Sequence, residues 1–128
     1  MGLHRLQDLK LLGREGVLAA LPGFDLYHLG HVESLALRRA AGVEAFELEI
    51  EAIYEEEREY SVTLLFSGVR SARLPPLEPS FYFGELEIED VRGDQLEEIR
   101  YRARDFGGTG FEVHCYDIEL RRCVPRDR

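Results

Sequence analysis

Apolar and polar residues along this chain change period once. Over residues 3–21 the apolar positions recur at three- and four-residue steps: Leu3, Leu6, Leu9 and Leu12, then Val17, Leu18 and Leu21. That spacing predicts an amphipathic helix. Gly13 and Gly16 interrupt it, each at a cost of about 1 kcal/mol relative to alanine, so two short helices fit as well as one. Pro22-Gly23 ends the segment.

From about His31 the period is two. Leu35 and Leu37 alternate with Ala36 and Arg38, and Phe46, Leu48 and Ile50 alternate with Glu47, Glu49 and Glu51. A turn at Ala41-Gly42 would place Leu37 opposite Phe46 and Leu35 opposite Leu48. A second turn at Glu55-Glu56-Glu57 would place Ile50 opposite Val62, Leu48 opposite Leu64, Phe46 opposite Phe66 and Glu49 opposite Thr63. Gly68 and the prolines of Leu74-Pro75-Pro76-Leu77-Glu78-Pro79 end that strand. Proline cannot join a central ladder, so residues 70–79 read as a loop or crossover.

A third hairpin pairs Ile88 with Ile99, Leu86 with Tyr101 and Val91 with Leu96 around the loop Arg92-Gly93-Asp94-Gln95. The same register sets Glu87 against Arg100 and Glu85 against Arg102. Opposite charges across strands contribute roughly 0.2–1 kcal/mol each. Gly107-Gly108-Thr109-Gly110 then leads to a last strand with Phe111, Val113 and Cys115 on one face. After Tyr116 the apolar phase moves to Ile118 and Leu120, which predicts a β-bulge at Tyr116–Asp117.

These elements define an α+β domain: an N-terminal helix packed on a curved, mainly antiparallel sheet of about six strands, a meander or partial barrel. One domain spans 1–128, with a helical segment at 1–22, the sheet at 29–121 and a tail at 122–128. One face packs the core and the charged face meets water.

Composition narrows the function classes. The apolar fraction of 45% and the length of 128 residues suit a folded domain that needs no disulfide or metal staple. The net charge of −9 argues against nucleic acid as a partner. No apolar run reaches the roughly 18 residues of a membrane span, and the N-terminus does not read as a signal peptide. Cys115 and Cys123 are the two cysteines, which suits a reducing cytoplasm. The expected localisation is cytoplasmic, with no membrane partner.

The candidate chemistry is sparse. His28 and His31 lie three apart near Asp25, with His114 far along the chain. They form the weakest candidate polar site, and strand-entry histidines that satisfy backbone groups explain them as well. No metal ligand set, catalytic group or cofactor is expected. Asp105-Phe106-Gly107 spells a kinase magnesium motif without any companion element. The glycine loop 107–110 precedes a strand and not the helix N-terminus that a phosphate loop requires. Cys115 reads as a small buried hydrophobe.

Residues 44–59 hold eight glutamates in sixteen. They form either a solvated strand face with a charged turn or an acidic patch for a basic protein, centred on Glu47, Glu49 and Glu51. Phe81 and Phe83 fall on the face of Glu85 and Glu87, opposite Leu86. If that face is open, the rings meet a partner or a second copy; if the helix or residues 70–79 fold over it, they are covered.

Three segments resemble a broad group of small bacterial β-rich proteins that includes immunity-protein-like families. They are Tyr27-His28-Leu29-Gly30-His31-Val32-Glu33-Ser34-Leu35, Val62-Thr63-Leu64-Leu65-Phe66-Ser67-Gly68-Val69, and Phe111-Glu112-Val113-His114-Cys115-Tyr116-Asp117-Ile118-Glu119-Leu120. The aspartate usual after the histidine is replaced by Leu29. The resemblance implies a single cytoplasmic β-rich domain, some of whose relatives neutralise toxins by binding them. The expected function is therefore a non-catalytic binding module, an immunity-type inhibitor of a basic protein. The alternative is a β half-barrel that holds a small ligand between helix and sheet.

Overall fold

The structure is a computed structural model and describes residues 9, 11–39, 46–75, 81–91 and 99–126. In chain order come helix α1 (Arg14–Ala20), a 3-10 turn (Leu26–His28), and strands β1 (Leu29–Arg39), β2 (Phe46–Tyr54), β3 (Tyr60–Val69), β4 (Ser71–Arg73), β5 (Leu86–Asp90), β6 (Tyr101–Asp105), β7 (Glu112–Cys115) and β8 (Asp117–Pro125). The fold is α+β and rich in antiparallel sheet. It differs from the expected single sheet of about six strands: among the described residues there are two four-stranded sheets, ordered β1-β2-β3-β8 and β4-β7-β6-β5.

One bent ladder joins the sheets. β3 pairs with β8 up to Ser67↔Asp117, and β4 pairs with β7 from Ser71↔His114. Between those pairs three residues, 68–70, face two, 115–116. The Tyr116 N–H donates to the Ser67 carbonyl at 3.0 Å, and the Arg70 N–H to the His114 carbonyl at 2.9 Å. The extra residue bends the pair, as bulges do. Gly68 takes φ +64 there. The phase change at Tyr116 is thus the point where the strand passes from one sheet to the other. Residues expected as a tail from 122 onward extend β8, with Arg122 opposite Thr63 and Cys123 opposite Val62.

Leu9, Leu11 and Leu12 are not helical, so one helix does not run through 3–21; among the described residues the N-terminal segment holds one helix, of seven residues. Gly13 is its N-cap at φ +77, and a Cβ there would sit 2.2 Å from the Leu120 carbonyl oxygen. This close approach lets residue 12 run beside β8: the Leu12 N–H donates to Ile118 O at 3.2 Å, and Leu12 O accepts from Leu120 N–H at 2.8 Å. The contact covers the edge of β8 at residues 118–120. Leu9, Leu11, Val17 and Leu21 are buried while Leu12 is exposed. Leu3 and Leu6 lie outside the described residues.

The faces follow the alternation, but the registers slide by even numbers of residues. Leu37 faces Leu48 and Leu35 faces Ile50 in place of Phe46 and Leu48. Leu48 faces Phe66, Ile50 faces Leu64 and Thr63 faces Glu51. Ile88 faces Ala103, so Glu87 meets Arg104 and Glu89 meets Arg102. A two-residue slide keeps every side chain on its face, so alternation alone cannot choose among such registers. The Ala41-Gly42 turn, the loop 92–95 and Leu96 lie outside the described residues.

Phe81 and Phe83 are buried, at 4% and 5% exposure, and do not present an open aromatic face. They precede β5 without continuing it. The Val32 N–H donates to Phe81 O at 2.9 Å and the Phe83 N–H to Gly30 O at 3.0 Å. A bend at residues 84–85 then resets the phase. Odd-numbered Phe81 and Phe83 and even-numbered Leu86 and Ile88 therefore all point inward. Phe81 and Phe83 meet edge to face at 5.2 Å, and Phe83 and Phe111 at 5.1 Å. Tyr82 is left outside, stacked on His31 at 4.8 Å.

Candidate functional site

The outer face of the first sheet gathers the charged groups that the alternation excludes from the core. Its rows read Ser34, Glu51, Thr63, Arg122, and Ala36, Glu49, Leu65, Glu119, across β1, β2, β3 and β8. The ladder shifts between Thr63 and Leu64, and Arg121 sits in that shift. Ser34, Glu49, Glu51, Thr63, Arg121 and Arg122 line an open depression of about 420 Å³.

Arginines lace this face. The Arg38 guanidinium lies 3.2 Å from Glu47 and 3.8 Å from Glu49. Arg121 lies 3.6 Å from Glu49 and 3.8 Å from Glu119. Arg126 pairs with Glu33 and reaches Ser61 Oγ at 3.1 Å. Thr63 and Leu65, though on this outer side, are buried at 8% and 7% exposure. At Thr63 and Leu65 the strand is thus covered on its outer face as well. Among the described residues Arg122 makes no ion pair. Of the expected partner-binding residues, the structure brings Glu47, Glu49 and Glu51 onto one face and leaves Phe81 and Phe83 in the core. Sequence reading missed Ser34, Arg38, Arg121 and Arg122. The only signal for them was the even-spaced polar residues in β1 and the Arg121-Arg122 pair in β8.

The histidines are dispersed over three elements. His28 ends the 3-10 turn, with its ring 5.4 Å from that of Tyr54. His31 is in β1, where its N–H donates to Glu55 Oε2 at 3.2 Å. His114 lies in β7, 3.5 Å from Glu112. A second open depression, of about 500 Å³, is lined by Leu21, His28, Tyr60, Arg58 and the turn Glu55–Glu57. No group of three or more histidine, cysteine or carboxylate side chains suited to a metal occurs among the described residues.

Cys115 is fully buried, and burial pushes its thiol up to about 12. A thiol held protonated is a poor nucleophile. Cys123 is half-buried and is also pushed up by burial. Tyr27 donates its hydroxyl to Glu87 at 2.5 Å. That hydrogen bond, with burial and the Glu87 charge, pushes Tyr27 up to about 12.

Asp105, the first letter of the kinase-like triplet, is a buried structural carboxylate. Oδ1 accepts the N–H of Glu85 at 2.6 Å, of Gly84 at 3.0 Å and of Gly107 at 3.1 Å. Oδ2 accepts the Thr109 hydroxyl at 2.6 Å. It ties the glycine loop to the entry of β5.

Leu9, Leu11, Val17 and Leu21 belong to the same buried core as Ile118 and Leu120. No helix among the described residues is long and apolar enough to cross a membrane. No family model, curated protein or solved structure matches the chain.

Proposed function

We propose that this chain is a non-catalytic binding module, an immunity-type inhibitor that takes a basic protein partner on the outer face of its first sheet. The observation that supports this is the depression over β2 and β3. It is open, as a macromolecular contact requires, and its lining sets Glu49 and Glu51 beside the hydroxyls of Ser34 and Thr63. An arginine or lysine side chain entering it meets two carboxylates and two further acceptors, and competes with Arg121 for Glu49. The net charge of −9 adds long-range attraction for a basic protein. Arg121 and Arg122 line the same depression and reject partners whose charges are misplaced.

The test is capture from a lysate of the cells that carry the gene, with the partner identified by mass. The expected result is a basic protein retained by the wild type and by Glu56→Arg/Glu57→Arg, and lost by Glu49→Arg/Glu51→Arg. The two variants change net charge equally and differ only in place. Retention by all three chains, or by none, contradicts the proposal.

A further inference from the structure

One row of residues crosses the depression on the first sheet. Ser34, Glu51, Thr63 and Arg122 stand opposite one another on β1, β2, β3 and β8, and all four line it. Neighbouring strands lie about 4.8 Å apart, so Glu51 and Arg122 leave the backbone about 10 Å from each other with Thr63 between them.

The charged groups around this row are engaged with one another. Glu47 and Glu49 are held by Arg38, and Glu49 and Glu119 by Arg121. Arg126 is bonded to Glu33 and to Ser61, and its charge reaches Glu51 only from beyond ion-pair distance. The row itself is different. Among the described residues, neither the Glu51 carboxylate nor the Arg122 guanidinium makes an ion pair or hydrogen bond, and the hydroxyls of Ser34 and Thr63 make no hydrogen bond. Thr63 is the informative member, because at 8% exposure it is more than nine-tenths buried and still lines the depression. A buried hydroxyl without a partner lowers stability, and valine would fill the same place in a strand without that cost. The fold gains nothing from this hydroxyl, which points to a use outside the fold.

We propose that the row reads a pair of opposite charges on the protein partner. A basic side chain enters over Glu51, between the hydroxyls of Ser34 and Thr63, and an acidic side chain beside it meets Arg122. The inference rests on the reading of this face as the site for a basic protein, and adds what that partner must carry. A partner with cations alone would leave the Arg122 guanidinium against like charge in a contact that excludes water, at a cost in affinity. A partner with both charges satisfies the two ends of the row together. The Thr63 hydroxyl serves either end, since it both donates and accepts. The order of the row, carboxylate on β2 and guanidinium on β8, then fixes the direction in which the partner docks.

The sign of one variant's effect separates this proposal from the simpler reading. Arg122→Glu makes the face more acidic. A partner held by its cations alone would then bind more tightly, whereas a partner that brings a carboxylate to Arg122 is expected to bind on the order of tenfold more weakly. Arg58→Glu makes the same change in net charge at the acidic turn, away from the row, and is expected to alter affinity by less than about threefold. Thr63→Val is expected to weaken binding several-fold while urea unfolding shows no loss of stability, because the hydroxyl holds nothing within the fold. Titration calorimetry with the captured basic partner reads each variant against the wild type. Tighter binding by Arg122→Glu, with the partner still lost by Glu49→Arg/Glu51→Arg, would overturn the proposal and leave the basic-partner reading standing. Equal losses in Arg122→Glu and Arg58→Glu would also overturn it, as would full affinity in Thr63→Val. A wild type that retains no basic protein removes the underlying reading, and this proposal with it.

Discussion

Gly68 and Tyr116 face each other where the two sheets meet: a β-carbon on Gly68 would stand 2.9 Å from that of Tyr116. The Tyr116 N–H is at the same time bonded to the carbonyl of Ser67. The close approach is what lets one ladder turn from the first sheet into the second. It also explains why glycine stands near the end of β3, after the apolar run Val62–Phe66.

Gly68→Ala should therefore cost about 2 kcal/mol or more, from the left-handed φ and from the crowding together. Tyr116→Gly removes the crowding but not the φ cost. In urea unfolding the double variant should lose less than the sum of the singles. Strict additivity would mean that the corner does not depend on this contact.

Asp105 is expected to matter for stability and for nothing chemical. Asp105→Ala strands three backbone N–H groups and the Thr109 hydroxyl, a loss of roughly 3 kcal/mol or more. Thermal and urea unfolding measure it. A loss under 1 kcal/mol would show that the glycine loop holds its shape without the carboxylate.

Alkaline pH should weaken the fold. Cys115 and Tyr27 both have native values pushed up to about 12, from 9.0 and 10.0. Each native group keeps its proton where the unfolded chain has lost it. Their stabilisation is full below the unfolded values and is lost as pH rises from about 9 through 12. Cys115→Val and Tyr27→Phe should each flatten the fall in stability above pH 9, and an unchanged slope in both would contradict the assignment. At pH 8 a thiol reagent should modify Cys123 first and reach Cys115 only as fast as the protein opens.

The surface ion pairs are expected to contribute little. Arg38→Gln removes contacts to Glu47 and Glu49 at 49% exposure and should change stability by less than about 1 kcal/mol. A larger loss in urea unfolding would make the outer face structural and would undercut its use as a binding surface.

Much of this architecture is legible in the residues. The period of two assigns Leu48, Ile50, Val62, Leu64 and Phe66 to the core and Glu47, Glu49 and Glu51 to the surface, and the structure agrees. The registers were not legible, because a slide of two preserves every face. Nor was the second sheet, since the break at Tyr116 looks the same in sequence whether a strand bulges or changes sheet. Phe81 and Phe83 defeated the alternation because the bend at 84–85 flips its phase. The candidate depression draws on four strands, one of them, β8, distant in sequence from the other three. Glu49 and Glu51 could be named in advance, but Arg121 and Arg122 become their neighbours only through the β3–β8 pairing.

The central claim is that the outer face of the first sheet, not net charge, holds a basic partner. Titration calorimetry with the captured partner tests it most directly, on the wild type, Glu49→Arg/Glu51→Arg and Glu56→Arg/Glu57→Arg. The account predicts about a hundredfold or greater loss of affinity for the first variant and only a few-fold change for the second, the range in which buried and rim charges differ. Equal losses in both variants would reduce the attraction to overall charge and contradict the account.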